Sequence, residues 1–238
     1  MTELVAHKMI AELQSLIDSH LGDRQSPNVL EAGCGSSSRL KMRQDAHIVG
    51  IDLSQPQLDL NTILDEKILG DIQDYELPDS AFDMIVCWDV LEHLDRPQDA
   101  LANFARSLAP CGIAVLAFPN PCSVKGFATK ITPHWFHVLA YKHIFRHPWA
   151  GNPGRGPFRT VMRPMVRPDS LKRFAHGIGL TVEHFRLYEG GAQEKLRKRL
   201  MVVGPVWGAA KALVKLASFG RLNAEMTDCI IVLQRAGR

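Results

Sequence analysis

The chain lacks several features that would assign its class at once. It has no Cys-x-x-Cys pair, no internal repeat and no run of about 18 uncharged apolar residues. Its five scattered cysteines argue against a zinc ribbon or a disulfide framework, and they favour a reducing, cytoplasmic compartment. The charged residues within positions 1–10 are untypical of a secretory signal. A net charge of +3 is too small to imply nucleic-acid binding by itself.

Acidic residues are missing from one long segment. No Asp or Glu occurs from Ala100 to Pro168, where about seven would be expected at the chain's own frequency. Basic residues, histidines and aromatics are interleaved there, a pattern that attracts anionic and apolar groups together. The pattern suits a phosphate- or carboxylate-bearing lipophilic molecule, an anionic membrane surface or RNA. RNA ranks third because the overall charge is modest and no RNA-binding motif occurs. A solvated loop around a small aromatic core is the structural alternative.

What is present is organised around residues 28–38. Val29 and Leu30 form a short apolar run that is typical of a buried parallel strand. Gly33 and Gly35 permit a tight turn, and Ser36–Ser38 predict the start of a helix near residue 39. Glu31 would stand at the end of the strand, where its charge repels a pyrophosphate and attracts an ammonium group.

These residues resemble the first motif of the class I S-adenosylmethionine-dependent methyltransferases. That motif reads acidic-x-Gly-x-Gly-x-Gly, and residues 31–37 match it except for Ser37 at the last glycine. The resemblance covers residues 27–121 well and the remainder loosely. It implies an α/β fold: a Rossmann-like, doubly wound sheet of seven strands with the last strand antiparallel. It also implies S-adenosyl-L-methionine as the cofactor and a helical or loop cap inserted after strand five.

The family pattern transfers onto further positions by residue match. Asp52, roughly 20 residues after Glu31, would bind the ribose, with Leu53 against the adenine. Asp71 would accept the adenine amine and Ile72 would donate its backbone N–H. Capping of the next helix by Asp52 and a surface position for Asp71 are the alternatives. The full set expected to contact the cofactor is Glu31, Gly33, Cys34, Gly35, Asp52, Leu53, Asp71, Ile72 and Trp88.

The residues after the predicted fourth strand would face the acceptor. His93 is a candidate general base because imidazole titrates near neutrality. The preferred interpretation is that Glu92 and His93 instead hold the loop by hydrogen bonds. Asp89, Glu92 and His93 also resemble the metal-binding run of the ubiquinone-pathway O-methyltransferases and the small-RNA 3′-end methyltransferases, although no metal is expected here. Further candidate bases lie in the acid-free segment: His134, His137, Tyr141 and His143.

The chain is predicted to form one domain over residues 1–238. Residues 1–22 would form an N-terminal helix, residues 122–167 the basic aromatic cap, and residues 192–220 two amphipathic helices before the last strand. In the second of these helices, Lys211 and Lys215 lie opposite an apolar face. That face would pack on the domain, on a second copy in a homodimer, or on an anionic membrane.

The favoured function is S-adenosylmethionine-dependent O-methylation of a lipophilic or anionic small molecule held under the cap. The alternatives are methylation of RNA or at a lipid surface, and a non-catalytic subunit with this fold. A nicotinamide oxidoreductase is disfavoured by Glu31. The expected location is the cytoplasm, with peripheral contact at the inner membrane surface as an option. The sequence leaves the acceptor and the base open.

Overall fold

The computed structural model of the chain describes residues 2–152 and 156–237. The strands are β1 Asn28–Ala32, β2 His47–Asp52, β3 Glu66–Leu69, β4 Phe82–Trp88, β5 Leu108–Pro119, β6 Leu180–Tyr188 and β7 Asp228–Arg235. The α-helices are α1 Thr2–Leu21, α2 Gln55–Leu60, α3 Pro97–Ser107, α4 Val124–Ile131, α5 His134–His143, α6 Pro168–Gly177, α7 Gly191–Arg199 and α8 Gly204–Ala217. Short 3₁₀ helices cover Leu91–His93 and Pro164–Val166.

All seven strands form one sheet in the order β3-β2-β1-β4-β5-β7-β6. Strand β7 runs antiparallel to β5 and to β6, whereas the pairs from β3 across to β5 are parallel. The predicted sheet of seven strands with an antiparallel last strand is therefore confirmed. Its strand order reverses beside β1, and ligands of such sheets bind at that point.

The core has two layers, because the sheet is covered on both faces. Along β4, Ile85 and Cys87 point into the larger layer, and Met84 and Val86 point into the smaller one. This alternation explains why the strand reads as a continuous apolar run. Helices α3 and α6 cover the larger layer, and α1 covers the smaller one.

The helix predicted near residue 39 is absent, and that prediction was wrong. Residues 33–46 instead form a series of turns. The Ser38 hydroxyl donates to Glu31 and accepts from the Leu40 N–H at 3.3 Å, so it serves a local turn rather than a helix cap. Leu40 and Met42 lie two residues apart, so they cannot share the face of a helix. No helix therefore follows the glycine turn directly, whereas a dinucleotide fingerprint continues into a helix whose N-terminus holds the pyrophosphate.

Other differences concern boundaries and one helix face. The sequence pattern also predicts a third strand over residues 67–72 and a turn at 109–112. The strand ends at Leu69, and residues 109–112 lie within β5 as an irregularity of its pairing with β4. In α8, Lys211 points toward Glu225 of the domain, whereas Leu213 is 67% exposed. The apolar side chains of α8 are divided: Trp207, Ala210 and Val214 are partly buried, whereas Val206, Leu213 and Ala217 are exposed.

No single helix of the described residues is long and apolar enough to cross a membrane. Helices α7 and α8 together have the length and composition of one span, but they meet at a bend of 118°.

Candidate active site

The candidate site lies where the parallel strands end. Strand register places Ala32 beside Ile51, Asp52 beside Leu69, and Glu31 beside Val86. The ends of β1 to β4 therefore share one edge of the sheet. The residues predicted to contact the cofactor follow or terminate these four strands, so the topology brings them to one crevice.

Glu31 is the buried acid of this crevice, with only 3% of its surface exposed. One carboxylate oxygen, Oε1, accepts the hydroxyl of Ser38. The other, Oε2, is fully buried and has no hydrogen-bond partner in the described part of the chain. Burial raises the pKa of the carboxyl, and the Ser38 hydrogen bond opposes that shift. A buried acceptor oxygen without a donor is costly, and an ammonium group would satisfy it.

The glycines form a cradle that side chains would block. Gly33 has a φ of +71°, and its N–H donates to the carbonyl of Ile51 at 2.8 Å. A Cβ on Gly33 would lie 2.4 Å from Val90 Cγ2. Gly35 has a φ of +53°, which L-amino acids rarely adopt. The backbone is therefore bare where a ligand must approach closely.

Asp52 ties the glycine turn to the end of β2. Its Oδ2 accepts the Gly35 N–H at 2.9 Å, and its Oδ1 accepts the Ser54 N–H at 2.8 Å. These bonds orient the carboxylate and leave further lone pairs for two hydroxyl groups. Leu53 is 70% exposed beside it, as expected of a side chain that lies against a planar ring. Ser54 precedes α2, so its bond to Asp52 stabilises the turn before the helix rather than capping the helix itself.

Asp71 and Ile72 follow β3 as predicted, but Asp71 already has a partner. Its carboxylate accepts the Gln73 backbone N–H at 2.9 Å and the Gln73 side-chain amide at 2.9 and 3.0 Å. The side-chain oxygen Oε1 of Gln73 in turn accepts the backbone N–H of Arg96 at 2.7 Å. The acid is thus held rigidly at the crevice. Ile72 is buried and its carbonyl accepts from Asn103 at 3.2 Å.

Cys34 and Trp88 line the same edge. Cys34 is a buried free thiol, and burial raises its pKa to about 12, so it stays protonated at neutral pH. Trp88 ends β4 and points to the same side of the sheet as Glu31, since both belong with the side chains that face α1. Trp88 is half-buried and therefore accessible from the crevice.

The loop after β4 forms the second half of the site. Asp89 has a φ of +57°, a strained conformation for a residue other than glycine, and such strain concentrates at functional sites. Glu92 is buried, its Oε2 is unpaired within the described ranges, and burial followed by the charge of Asp89 raises its pKa to about 8. Glu92 is therefore mostly protonated at neutral pH.

His93 is held in a defined tautomer. Its Nδ1 lies 2.8 Å from the carbonyl of Arg159, which can only accept, so we assign the proton to Nδ1. Its Nε2, 3.7 Å from Glu92 Oε1, is then an acceptor. Burial is the main cause that lowers the pKa of His93, which keeps the ring neutral near pH 7. The ring meets Phe158 edge-on, with centroids 6.1 Å apart.

The segment 122–167, hereafter the insertion, contacts this loop through residues 159–162. The backbone N–H groups of Val161 and Met162 donate to the Glu92 carbonyl at 2.8 and 3.0 Å. Its candidate bases are placed unequally. His134 lies close enough for its charge to lower the pKa of His93. Burial raises the pKa of Tyr141, which the charge of Lys125 opposes and those of Asp89, Asp228 and Glu92 reinforce.

His137 and His143 lie differently from the other two candidates. His137 Nε2 is 2.7 Å from the Thr132 hydroxyl, so it is engaged within the insertion. His143 is exposed at the end of α5.

Three polar residues at this edge were missed by sequence reasoning. Lys125 forms a 2.7 Å ion pair with Asp228, and Tyr188 lies opposite Asp228 in the pairing of β6 with β7. Asp228 starts β7, but because β7 is antiparallel its first residue lies at the edge where the parallel strands end. Asp228 could have been predicted as a site residue, because it begins the last apolar segment of the sequence. That prediction requires the assumption that the last strand is antiparallel.

The metal alternative is not supported by the geometry. Within residues 2–152 and 156–237, no group of three or more His, Cys, Asp or Glu side chains is arranged to hold a metal ion. Asp89, Glu92 and His93 therefore do not form a ligand set in this arrangement.

Sequence comparison assigns the chain to a family. The profile of a family described as a methyltransferase domain matches residues 5–185. The chain belongs to the class I S-adenosylmethionine-dependent methyltransferases. Its buried Glu31 oxygen, bare glycine turn and oriented Asp52 carboxylate fit the ammonium and ribose hydroxyls of the cofactor that the family implies.

Curated relatives of this methyltransferase carry O-methyltransferase names. It is 28% identical over 158 residues to the mitochondrial ubiquinone biosynthesis O-methyltransferase of Saccharomyces cerevisiae, a match covering 58% of this chain and 51% of that protein. It is 28% identical over 188 residues to malonyl-[acyl-carrier protein] O-methyltransferase of Serratia marcescens, covering 75% and 72%. The chain thus spans about half the length of the ubiquinone-pathway relatives it matches.

Solved structures confirm the fold. A methyltransferase structure from Methanosarcina mazei has a TM-score of 0.57 at 14% identity, over 94% of this chain and 98% of that one. The [4+2]-cyclase SpnF also has a TM-score of 0.57, at 18% identity, over 95% and 81%. Because a cyclase shares this architecture, the fold by itself does not determine the reaction.

Proposed function

We propose that this methyltransferase transfers the methyl group of S-adenosyl-L-methionine to an oxygen of a lipophilic or anionic small molecule bound beneath the insertion. The observation that carries cofactor use is the buried, partnerless Oε2 of Glu31 beside the bare Gly33–Gly35 turn. The O-methyltransferase names of the relatives support oxygen as the acceptor atom.

Each half of the site has a distinct task. When bound, the cofactor supplies an electrophilic methyl group on a sulfonium sulfur. Glu31 would hold its ammonium group, Asp52 its ribose hydroxyls and Asp71 its adenine amine. Alignment of two reactants in a site closed to water accounts for much of the rate enhancement in such reactions.

His93 is the residue we propose as proton acceptor. Its Nδ1 proton is engaged by the Arg159 carbonyl, so Nε2 is free to accept the proton of an acceptor hydroxyl. Its lowered pKa keeps it neutral, which is the form that a base needs. Glu92, protonated at neutral pH, places a neutral carboxyl rather than a competing anion beside it.

The environment of the acceptor indicates its chemistry. Tyr141 and Phe158 supply aromatic surface, and Lys125 supplies a cation shared with Asp228. No acidic residue of the insertion opposes an anionic group, since the segment contains none. A molecule with an aromatic or aliphatic body and a phosphate or carboxylate group meets these properties.

Two experiments test the proposal. Calorimetry should show binding of S-adenosylmethionine and of its demethylated product; a folded protein that binds neither would overturn cofactor use. The protein with methyl-labelled cofactor should transfer label to lipid or small-molecule extract fractions. Label found only in the RNA fraction would overturn the acceptor class.

The role of His93 is tested with a matched pair of histidines. His93→Asn should lower kcat by about 10²–10⁴-fold with little change in cofactor affinity, whereas His143→Asn should change neither. Equal activity of His93→Asn and wild type over the pH range would show that His93 only holds the loop.

A further inference from the structure

Helix α8 presents an apolar face to solvent. None of its residues is buried, and Val206, Leu213 and Leu216 are 58%, 67% and 76% exposed. These side chains recur at helical spacing, so they form one continuous stripe. Phe219, just beyond the helix, is 90% exposed. Exposed apolar patches of this kind mark interaction sites.

The side of α8 that faces the domain carries Trp207 and Lys211, and contacts of these two residues anchor it. Arg197 lies over the Trp207 ring at 4.8 Å, and Lys211 forms a 3.1 Å ion pair with Glu225. These contacts fix the rotation of the helix about its axis. The exposed apolar stripe is therefore held outward by the contacts that Trp207 and Lys211 make on the other side of the helix.

The segments that flank α8 contact the insertion. Arg199 at the end of α7 donates to the Ile144 carbonyl at 3.4 Å, and the Val124 N–H donates to the Asn223 carbonyl at 2.9 Å. The segments before and after α8 thus each contact the insertion. Further exposed apolar side chains lie on α4 and α5: Phe127, Ile131, Trp135, Phe136 and Leu139. We call these side chains, together with the exposed stripe of α8 and the turn at 200–203, the apolar platform.

The charge around the apolar platform has one sign. No acid occurs from Lys195 to Ala224, and none occurs in the insertion. The same segments carry exposed basic side chains: Lys130, Lys142, Arg146, Lys195, Arg199, Lys215 and Arg221. Long basic side chains beside apolar ones can extend toward lipid phosphates while their neighbours enter the acyl region.

From these observations we infer that the apolar platform docks on the surface of an anionic phospholipid bilayer. The occupant follows from charge and shape together. A second copy would bring basic groups against basic groups across a twofold axis, with no acid in either segment to pair them. RNA binding relies on stacking aromatics along a basic groove, whereas the outermost α8 side chains are mainly aliphatic. The inference does not depend on the methyl-transfer reaction.

Vesicle flotation tests this inference directly. The purified chain should float with vesicles of phosphatidylcholine and phosphatidylglycerol at 3:1, and much less with phosphatidylcholine alone. Raising the salt concentration from about 0.1 M to 0.5 M should weaken the binding, because screening removes the electrostatic part. A chain that stays in solution with both vesicle types would overturn the inference.

Substitutions distinguish membrane binding by the apolar platform from non-specific adsorption of the protein to vesicles. Leu213→Ser with Leu216→Ser and Phe219→Ser should lower partitioning at least tenfold, since three exposed apolar groups are lost. Leu60→Ser removes a 63% exposed leucine at the end of α2 and should leave partitioning unchanged. Equal loss in both variants would contradict the assignment. The inference would also be contradicted if the wild-type protein were a dimer that the triple substitution dissociates. Displacement of the protein from vesicles by RNA would contradict it as well.

Discussion

The two halves of this site are built by opposite means. The cofactor edge, residues 28–92, relies on positive φ angles, buried carboxylates and backbone hydrogen bonds that allow few other arrangements. The insertion with α7 and α8 relies on exposed aromatic, aliphatic and basic side chains. The cofactor edge suggests a particular ligand, because each of its polar groups has one defined geometry. The insertion with α7 and α8 indicates only whether its binding partner is apolar or anionic.

The helices show the same contrast. In α3, Leu101 and Phe104 are fully buried, and a fully buried side chain of this size stabilises by about 1.5–3 kcal/mol. In α8 no residue is buried. We therefore expect substitutions at the cofactor edge to change folding and ligand affinity, and those on α8 to change docking alone.

The largest effect is expected for Gly33→Ala. The methyl group would meet Val90 at 2.4 Å in a left-handed backbone conformation, so the variant should lose about 2–4 kcal/mol of unfolding free energy and most cofactor affinity. Chemical denaturation and calorimetry measure both quantities.

Two controls sharpen that result. Gly208→Ala in α8 has open space around the added methyl group, and it should be neutral or stabilise by up to about 1 kcal/mol. Adding Val90→Ala to Gly33→Ala should restore part of the loss by removing the clash. If the double variant is no better than Gly33→Ala, the close approach to Val90 is not the cause.

The next effect concerns the pH dependence of stability. Burial raises the pKa of Glu92 from 4.5 to about 8 in the folded state, so the folded chain binds more protons than the unfolded chain between these values. The contribution of Glu92 to the unfolding free energy is therefore fully present below pH 4.5, and it is lost as the pH rises through about 8. Glu92→Gln should remove this fall, whose slope is at most about 1.4 kcal/mol per pH unit. Denaturation curves from pH 5 to 8.5 that are parallel for the two proteins would contradict the buried acid.

The smallest effect is expected on the outer face of α8. Leu216→Ser should change unfolding free energy by less than about 0.5 kcal/mol, because the side chain is 76% exposed. Trp207→Ala, on the anchored face, should cost more, since the ring packs under Arg197. If Leu216→Ser proves the more destabilising, the two faces are assigned the wrong way round.

The strands were predictable because each depends on local pattern, whereas the cofactor contacts stay a prediction. The apolar runs at 47–52 and 82–88 coincide with β2 and β4, and the acids at their ends lie at one edge of the sheet. The helix near residue 39 was not predictable in this way. Serines suit both a helix cap and a turn, and the choice depended on the bond from Ser38 to the distant Glu31.

The acceptor side depends on topology, which local pattern does not contain. Asp228 and Tyr188 meet only because β6 and β7 are paired antiparallel. The side of α8 that faces the domain could not be predicted from the sequence either, because apolar residues cover more than half of the circumference of the helix. Only the contacts of Lys211 and Trp207 decide which side faces inward.

The central claim is that Glu31 holds the ammonium group of the cofactor. The most direct test compares two ligands by calorimetry: S-adenosylhomocysteine, which carries the amino acid, and methylthioadenosine, which does not. Glu31→Gln should weaken S-adenosylhomocysteine binding by about ten- to hundredfold, as expected for a lost charge-assisted hydrogen bond, and leave methylthioadenosine unchanged. Equal weakening of both ligands, or of neither, would contradict the account.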